Sequence, residues 1–281
     1  MKQRVVTKPA RTRLKMLGAS ALMVLLAACG EHPPRDDDDD EDPPPQTAAI
    51  SIVAGSATET GSRDATGASA RFDTPRGIAV DASGNLYVAD GANATIRRIA
   101  PSGAVTTLAG AVKARESVNG TGSGARFTSP SAIAIDANNV LHVADAFTIR
   151  RVGLDGRVDT LYTLPVGSNV ANNSLNAVYA GGVAVDRNGN VYVTNSYGTR
   201  RIATSSGTVE MLEGAGTQNN LSGTRDFEPR GVAVDRNSNA YVADLTKTVS
   251  RVNANGNSIT RLVGSVNVTG STDGTGSAAS F

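Results

Sequence analysis

Two sets of carboxylate positions recur along this chain of 281 residues at nearly constant spacing. The first set contains Asp81, Asp136, Asp186 and Asp235, and the second, nine residues further along in each case, contains Asp90, Asp145, Asn195 and Asp244. A third set of basic residues follows them and contains Arg98, Arg151, Arg201 and Arg251. Carboxylates that lie together can bind calcium or exchange protons with a substrate, and arginines can bind anionic ligands.

The regular recurrence of these residues indicates a structural role rather than a catalytic one. A catalytic centre requires different residues in different roles, whereas here one residue type occupies the same place in every repeat. We expect the first set to accept hydrogen bonds from the backbone of a turn after a strand, and the second set to end the next strand in the same way. We expect the four arginines to pair with the second set. The alternative is a ring of guanidinium groups that captures an anionic ligand.

Other candidate sites in the sequence are less persuasive. The glycine-rich loop at residues 120–124 lacks the lysine and the helix of a phosphate-binding loop. His142 is the only histidine in the repeats, which contain no cysteine, and this argues against a zinc site or a Ser-His-Asp triad. We therefore predict no cofactor, with an all-oxygen calcium site as the alternative, for which the sequence nominates no glutamate ligand.

The elements that position these residues are short and β-rich. Successive members of the first carboxylate set are 55, 50 and 49 residues apart. Each repeat contains four apolar, β-branched runs separated by Gly, Asn and Ser, which in the first repeat are residues 77–80, 86–89, 96–99 and 105–108. Four antiparallel strands in a unit of about 40–50 residues are typical of a propeller blade. The sequence therefore predicts an all-β fold, a β-propeller with four complete four-stranded blades.

The repeat also resembles a known family. The first unit reads Pro-Arg-Gly-Ile-Ala-Val-Asp from residue 75, then Gly-Asn-Leu-Tyr-Val-Ala-Asp, then Ile-Arg-Arg-Ile. This resembles the NHL repeat, a propeller-forming family, and the resemblance extends over about residues 50–281. His142 departs from the pattern by occupying a tyrosine position, and the third repeat lacks the Phe and Pro of the entry loop. The resemblance implies a propeller but no particular activity, because the family includes binding modules, sensor domains and some enzymes.

The N-terminal segment has the pattern of a secretion signal. Residues 1–15 carry six basic residues and no acid, and residues 16–28 form an apolar run that is too short to span a bilayer. The sequence Leu-Ala-Ala-Cys that ends at Cys29 resembles the bacterial lipoprotein signal, which implies cleavage before Cys29 and acylation of its thiol. We therefore predict a signal peptide at residues 1–28 and a lipid-anchored protein of the bacterial cell envelope. Gly30 after the cysteine favours the outer membrane.

The remaining chain divides into a tether and a repeat array. Residues 29–48 contain seven consecutive acids between proline runs, a composition typical of an extended, disordered tether. The propeller is predicted at residues 49–281, with repeats at about 55–110, 111–163, 164–213 and 214–264. A leading strand at residues 49–54 and a partial unit at 265–281 flank them, and we expect truncation of a larger propeller of about six blades. Phe72, Phe127 and Phe227 are expected to insert between blades.

Charge and composition narrow the range of functions. The formal net charge is +1, and the repeats carry no basic field that would favour nucleic acid. The absence of tryptophan argues against a carbohydrate-stacking surface. We predict a non-enzymatic interaction scaffold, anchored to the membrane by lipid, that binds an unknown protein or small ligand through variable loops at residues 111–121, 163–179 and 213–226. The alternatives are a calcium-dependent propeller lactonase or lyase, in which related propellers use mixed Glu, Asn and Asp ligands, and a truncated fragment without independent function.

Overall fold

The structure is a computed structural model that describes residues 51–164, 180–195, 198–214, 229–256, 258–266 and 268–281. Within these residues the chain forms four antiparallel sheets, and in each sheet four consecutive strands pair in sequence order. This confirms the all-β propeller with four four-stranded blades that the repeats predict. Among the helices of the described segments, none has both the length and the apolar character needed to cross a bilayer.

Each blade is a meander of four strands. Blade 1 consists of β1 (Pro75–Val80), β2 (Leu86–Asp90), β3 (Thr95–Ile99) and β4 (Val105–Ala109). Blade 2 consists of β6 (Pro130–Ile135), β7 (Leu141–Asp145), β8 (Thr148–Val152) and β9 (Arg157–Thr163), and the short β5 (Gly120–Thr121) pairs with β9. Blade 3 consists of β10 (Val183–Val185), β11 (Val191–Asn195), β12 (Gly198–Ala203) and β13 (Thr208–Gly214). Blade 4 consists of β14 (Pro229–Val234), β15 (Ala240–Asp244), β16 (Thr248–Val252) and β17 (Ile259–Gly264).

The turn between the first two strands of each blade has one conserved backbone shape within the chain. Its fourth residue has a positive φ, which is 79° at both Gly84 and Gly189. Asn139 and Ser238 occupy the same place with φ values of 61° and 62°. Glycine and asparagine enter this left-handed region at low cost, so Gly84, Asn139 and Gly189 favour the turn into the antiparallel partner, whereas blade 4 has a serine there.

The apolar core lies between the blades rather than in one central cluster. Between blades 1 and 2, Ala89 and Ile96 of one sheet pack in the same cluster as Leu141 and Val143 of the next, and all four are buried. Phe127 is fully buried in this cluster, as expected for a residue inserted between blades. Comparable clusters form between blades 2 and 3 and between blades 3 and 4. Phe72 packs on blade 1, and Phe227 lies outside the described residues.

The first strands of adjacent blades approach closely. A Cβ built on Gly77 would lie 2.9 Å from the Cα of Ala132 in β6, and one on Gly182 would lie 3.0 Å from the carbonyl oxygen of Arg230. Glycine is therefore a packing requirement at residues 77 and 182, because a side chain there would push the blades apart. It is not one throughout the repeat, since Ala132 takes this place in blade 2 and a Cβ on Gly231 would meet nothing within 4 Å.

The two ends of the array differ in how well they match the expected elements. Residues 51–54 pack through Val53 and Ala54 against blade 1 but do not form the predicted leading strand, because no strand pairs with them among the described residues. Residues 49 and 50 lie outside the described part. At the other end, the 3₁₀ turn Gly276–Ala278 repeats the turns Gly67–Ser69 and Gly122–Gly124, so the trailing segment has the shape of an inter-blade loop.

Candidate functional site

The first carboxylate set closes the turn that follows the first strand of each blade. In blade 1, one oxygen of Asp81 accepts hydrogen bonds from the amides of Ser83 at 2.9 Å and Asn85 at 2.8 Å. The other oxygen accepts from the Asn85 side chain at 2.7 Å and from the Tyr87 hydroxyl at 3.0 Å. The same bonds surround Asp186 and Asp235. These carboxylates thus order a turn and a neighbouring tyrosine, the role that their recurrence predicts.

Blade 2 carries a variant of this arrangement. Asp136 accepts from the amides of Asn138 at 2.8 Å and Val140 at 2.9 Å, and His142 Nε2 lies 3.0 Å from its second oxygen. The His142 side chain is almost completely buried, and its Nδ1 has no hydrogen-bond partner. Burial lowers the pKa of His142, and the hydrogen bond and charge of Asp136 oppose that shift only in part. His142 therefore substitutes for the tyrosine of the other blades.

The hydrogen bonds of the turn also change its electrostatics. Burial by itself would raise the pKa of Asp186, but the side chain and backbone of Asn190 and its other donors outweigh that effect and lower the pKa. The pKa values of Asp81 and Asp235 are lowered by the same kind of hydrogen bonding. These three aspartates are therefore stabilised as carboxylates, which suits a structural acceptor better than a general acid.

The second set ends the second strand and fixes the entry loop, by which we mean the segment before a blade's first strand (residues 56–74 for blade 1 and 111–129 for blade 2). Asp90 accepts from the amide of Asp73 at 2.7 Å and from the Asn93 side chain at 2.8 Å. Asp145 accepts from the amides of Thr128 at 3.1 Å and Ser129 at 2.6 Å. Burial raises the pKa of Asp90 and of Asp145, against the opposing hydrogen bonds and the nearby arginine charge.

A buried arginine completes this connection in the first two blades. Arg97 donates to Asp90 at 3.0 Å and to the carbonyl of Arg71 at 2.9 Å, and its guanidinium lies 4.9 Å from the centre of the Phe72 ring. Arg150 lies over Phe127 in the same way, at 5.4 Å. Both arginine side chains are fully buried. We call each Asp–Arg pair with the loop carbonyls it holds a loop clamp, because it ties a blade to the segment that precedes it.

The loop clamp changes in the later blades. In blade 3, Arg200 donates to the side-chain oxygen of Asn195 at 3.1 Å. In blade 4, a buried serine, Ser250, stands at the arginine position, and Asp244 accepts instead from Thr248 at 2.7 Å and from Thr246.

The structure therefore corrects the expected pairing of Arg98, Arg151, Arg201 and Arg251. The arginine that bonds to Asp90 is Arg97, whereas Arg98 lies opposite Tyr87 and donates to the Asn85 side chain at 2.9 Å. Neighbouring residues of a strand point to opposite faces, so two consecutive arginines cannot both reach the same carboxylate. Arg97 faces the entry loop, and Arg98 faces the next blade.

The residues that the sequence interpretation missed are Arg97, Arg150 and Arg200. The Ile-Arg-Arg-Ile pattern places one isoleucine and one arginine on each face of the strand, so hydrophobicity gives no preference between the two arginines. The pairing of Asp90 with Thr95 across the hairpin shows which of the two arginines shares a face with Asp90. Residues separated from Thr95 by an even number share the face of Asp90, and Arg97 is such a residue.

A polar cavity of about 250 Å³ lies between blades 1 and 2. Asp81, Asn85, Tyr87 and Arg98 of blade 1 line one side, and Asn139 and Leu154 of blade 2 line the other. Within the part of the chain that the structure describes, no group of three or more His, Cys, Asp or Glu side chains could hold a metal ion. The arrangement therefore offers a small ligand one guanidinium, several hydrogen-bonding groups, and the Asp81 carboxylate, whose oxygens already accept hydrogen bonds from the turn and from Tyr87.

Several expected sites lie outside the described residues. These are the signal peptide, Cys29, the acidic tether, and most of the variable loops at residues 163–179 and 213–226. The loop at residues 111–121 is described and is largely exposed. Arg115 holds its base by donating to the carbonyl of Thr128 at 3.1 Å and to that of Ala92 at 2.9 Å.

Comparison with known proteins supports the fold. A family model described as the Teneurin NHL domain matches residues 53–119. A nidogen/laminin complex aligns with 68% of this chain and 65% of that chain at 19% identity and a TM-score of 0.50. The extracellular domain of a protein described as a hybrid two component system from Bacteroides thetaiotaomicron aligns with 80% of this chain and 29% of that chain at 13% identity and a TM-score of 0.50.

A virginiamycin B lyase from Staphylococcus aureus in complex with quinupristin aligns with 66% of this chain at 17% identity and a TM-score of 0.48, and the chain spans 54% of that protein. No curated protein sequence matches the chain. At these identities the structural likeness concerns the fold alone. The repeated phrase, the four antiparallel blades and the NHL domain match over residues 53–119 together support an NHL-repeat β-propeller.

Proposed function

We propose that this protein is a lipid-anchored lipoprotein of the bacterial cell envelope whose propeller acts as a non-enzymatic binding scaffold. The scaffold role is supported by the hydrogen-bond partners of the recurring polar residues, which belong to the blades and their entry loops. The turn aspartates bond to turn amides, and the buried arginines of the loop clamps bond to entry-loop carbonyls. Polar groups that build the blades in this way leave the exposed loops as the surfaces that carry specificity.

The anchor rests on the sequence of the N-terminal segment. Six basic residues precede the apolar run at residues 16–28, and Cys29, the one cysteine of the chain, follows it directly. Acylation at Cys29 would hold the protein at the membrane, and the acidic residues 36–42 would extend the tether by mutual repulsion. The propeller would then lie away from the lipid surface, where its loops can meet a partner.

The anchor is tested with Cys29→Ser in the full chain. We expect the native protein to incorporate labelled palmitate and to sediment with membranes, and the variant to lose both properties while the propeller stays folded. Replacement of the neighbouring Gly30 by Ser serves as the matched control and should leave labelling intact. Palmitate incorporation that persists in the Cys29→Ser variant would contradict the anchor.

The scaffold role is tested at the loop of residues 111–121. We expect a photo-crosslinker at Val112, which is 46% exposed at this loop, to capture a discrete partner in intact cells. The same crosslinker at Val80, which is 57% exposed on a blade strand, is the control and should not capture that partner. Replacement of the exposed loop residues by a Gly-Ser sequence of equal length, with Arg115 retained, should abolish the capture.

Equal capture from both positions would contradict loop-based recognition. A calcium-dependent rise in melting temperature that accompanies hydrolysis of a lactone would instead contradict the non-enzymatic role, because a ligand that binds the native state raises its stability.

A further inference from the structure

We propose that the polar cavity between blades 1 and 2 is a binding site for a small carboxylate ligand, with Arg98 as its anchor. The argument comes from comparison of Arg98 with Arg201, which occupies the same position in blade 3. Both arginines lie on the third strand of their blade, opposite the tyrosine of the second strand. The same side chain therefore has two different environments within one protein.

In blade 3 the guanidinium of Arg201 forms an ion pair with a carboxylate of the same chain. Arg201 forms an ion pair with Glu210, which lies directly opposite it on β13, and also donates to the carbonyl of Ala254 in blade 4. The arginine thus bridges its own blade and the next one. The nearby turn carboxylate of Asp186 does not prevent this pair, because the oxygens of Asp186 are occupied by donors of the turn.

In blade 1 the internal carboxylate is missing. Thr106 lies opposite Arg98 at the place that Glu210 takes in blade 3. Arg98 makes no ion pair with a described acidic residue and turns back to the side-chain oxygen of Asn85, at 3.2 Å and 2.9 Å. The acceptor there is a neutral amide, so the positive charge of the guanidinium remains uncompensated by a direct partner.

The cavity occupies the space that this rearrangement leaves. Leu154 of blade 2 stands where Ala254 stands in blade 4, two residues beyond the third strand, and it lines the cavity with 41% of its surface exposed. Arg98 does not donate to it as Arg201 donates to Ala254. A ligand that places a carboxylate on Arg98 and a short apolar group against Leu154 matches this lining.

Among the described residues, the corresponding arginines of blades 2 and 4 each lack one of the two features that make up the site in blade 1. Thr260 lies opposite Arg251, so this arginine also faces a threonine rather than an acid. Among the described residues, however, no further blade follows blade 4 to provide the second wall of a cavity. In blade 2 an acid, Asp159, does lie opposite Arg151, although its ion pair is with Arg157 at 3.1 Å. Blade 1 therefore combines an arginine without an internal acid and a complete neighbouring blade.

The proposal is tested by titrating the full chain, purified in detergent, with propionate while the arginine side-chain Nε–H signals are followed by NMR. Propionamide, which has the same shape without the charge, is the matched ligand control. We expect a saturable shift of the Arg98 signal with propionate, with a dissociation constant on the order of 1–10 mM because the guanidinium is partly open to solvent. The response to propionamide should be weaker by about ten-fold or more.

Two substitutions exchange the environments of the two arginines. Thr106→Glu places the internal carboxylate of blade 3 in blade 1 and should abolish the propionate response, and Thr106 is exposed, so the fold tolerates the change. Glu210→Thr should create a second propionate response at Arg201. Arg98→Gln should remove the first response and leave the rest of the spectrum unchanged.

A propionate response at Arg98 that survives in Thr106→Glu, equal responses to propionate and propionamide, or no saturable response in the native protein would each overturn the proposal. The site is separate from the loop at residues 111–121 and from Cys29. Failure of this titration would therefore leave the scaffold role and the lipid anchor standing, and failure of those tests would leave the carboxylate site standing.

Discussion

Replacement of the buried Arg150 by serine should lower the free energy of unfolding by about 3–5 kcal/mol, the usual cost of removing one partner of a buried ion pair. Arg150 and Asp145 are both completely shielded from solvent, and their charged atoms lie 3.4 Å apart. Arg150 also donates to the carbonyls of Arg126 and Val118 at 3.0 Å each and to the side chain of Asn119 at 2.9 Å. Serine is the informative replacement because Ser250 occupies this position in blade 4.

The structure indicates which part of that range applies. When Arg150 is removed, Asp145 still accepts hydrogen bonds from the amides of Thr128 and Ser129. These bonds reduce the free-energy cost of leaving the buried carboxylate without its arginine. The two loop carbonyls lose a charged donor, at about 1–3 kcal/mol for a buried group left unsatisfied. We therefore expect a value in the lower half of the range, with the loss of order concentrated in the entry loop of blade 2.

The loss should depend on pH in a defined direction. Burial already raises the pKa of Asp145, and removal of the arginine charge raises it further. A carboxyl whose pKa is higher in the folded than in the unfolded state binds protons more strongly when folded. The deficit of the variant should therefore shrink as the pH falls through the raised folded-state pKa of Asp145.

The assay is urea unfolding followed by far-UV circular dichroism, with hydrogen exchange to locate the loss at residues 118–127. The matched control is Arg151→Ser, since Arg151 is the next residue and is exposed. A surface change of this kind should alter stability by no more than about 0.5 kcal/mol. If Arg150→Ser and Arg151→Ser have the same stability, or if the deficit grows at low pH, the loop clamp does not work as described.

Three further changes test the turns and close contacts. Asp186→Ala should lower the free energy of unfolding by about 1–3 kcal/mol because turn amides lose their acceptor. Since the pKa of Asp186 is lowered in the folded state, the difference in melting temperature between native protein and variant should close as the pH falls through that folded-state pKa. A difference that does not depend on pH would contradict this. His142→Tyr should reduce the fall in melting temperature between pH 8 and pH 5, because a histidine whose folded-state pKa is lowered destabilises the fold below about pH 6.5. An unchanged fall in melting temperature would contradict this role of His142. Gly110 has a φ of 94°, and a Cβ added there would lie 2.5 Å from a carbonyl oxygen. Gly110→Ala should therefore lower the free energy of unfolding, measured in urea, by about 1–3 kcal/mol or more. Gly207→Ala is the control and should cost less, because its Cβ would meet nothing within 4 Å. Equal losses at the two glycines would show that the contact is not limiting.

The strands and turns of the blades were accessible from the sequence because their signals are local and repeated. The phrase at residues 77–81 predicted both the strand β1 and the aspartate that closes its turn, and β1 and the hydrogen bonds of Asp81 have that form. Glycine with positive φ at position 84 follows from the same turn chemistry. Four copies of one pattern reinforce each other, so a departure such as His142 does not obscure it.

The partners of the arginines were less accessible, because they depend on which face of a strand meets which loop. Arg98 and Arg97 are adjacent and chemically identical, yet one lies in a cavity between blades and the other is buried against Phe72. The leading segment is a second example. Residues 51–54 have a strand-like sequence, but a strand forms only when a neighbouring strand supplies its hydrogen bonds, and none does so among the described residues.

The sequence by itself determined the repeat, its β-strands and its turns, because hydrophobic alternation and turn residues act between neighbours in the chain. It also determined the positions of Cys29 and of the acidic run at residues 36–42. Only the tertiary structure decided that Arg97 and Arg150 hold the entry loops and that Glu210 forms an ion pair with Arg201. It also decided that Arg98 lines a cavity and has a threonine, not an acid, opposite it on the fourth strand. These choices depend on contacts between strands and between successive blades, and residues far apart in sequence meet there only after the blades have packed.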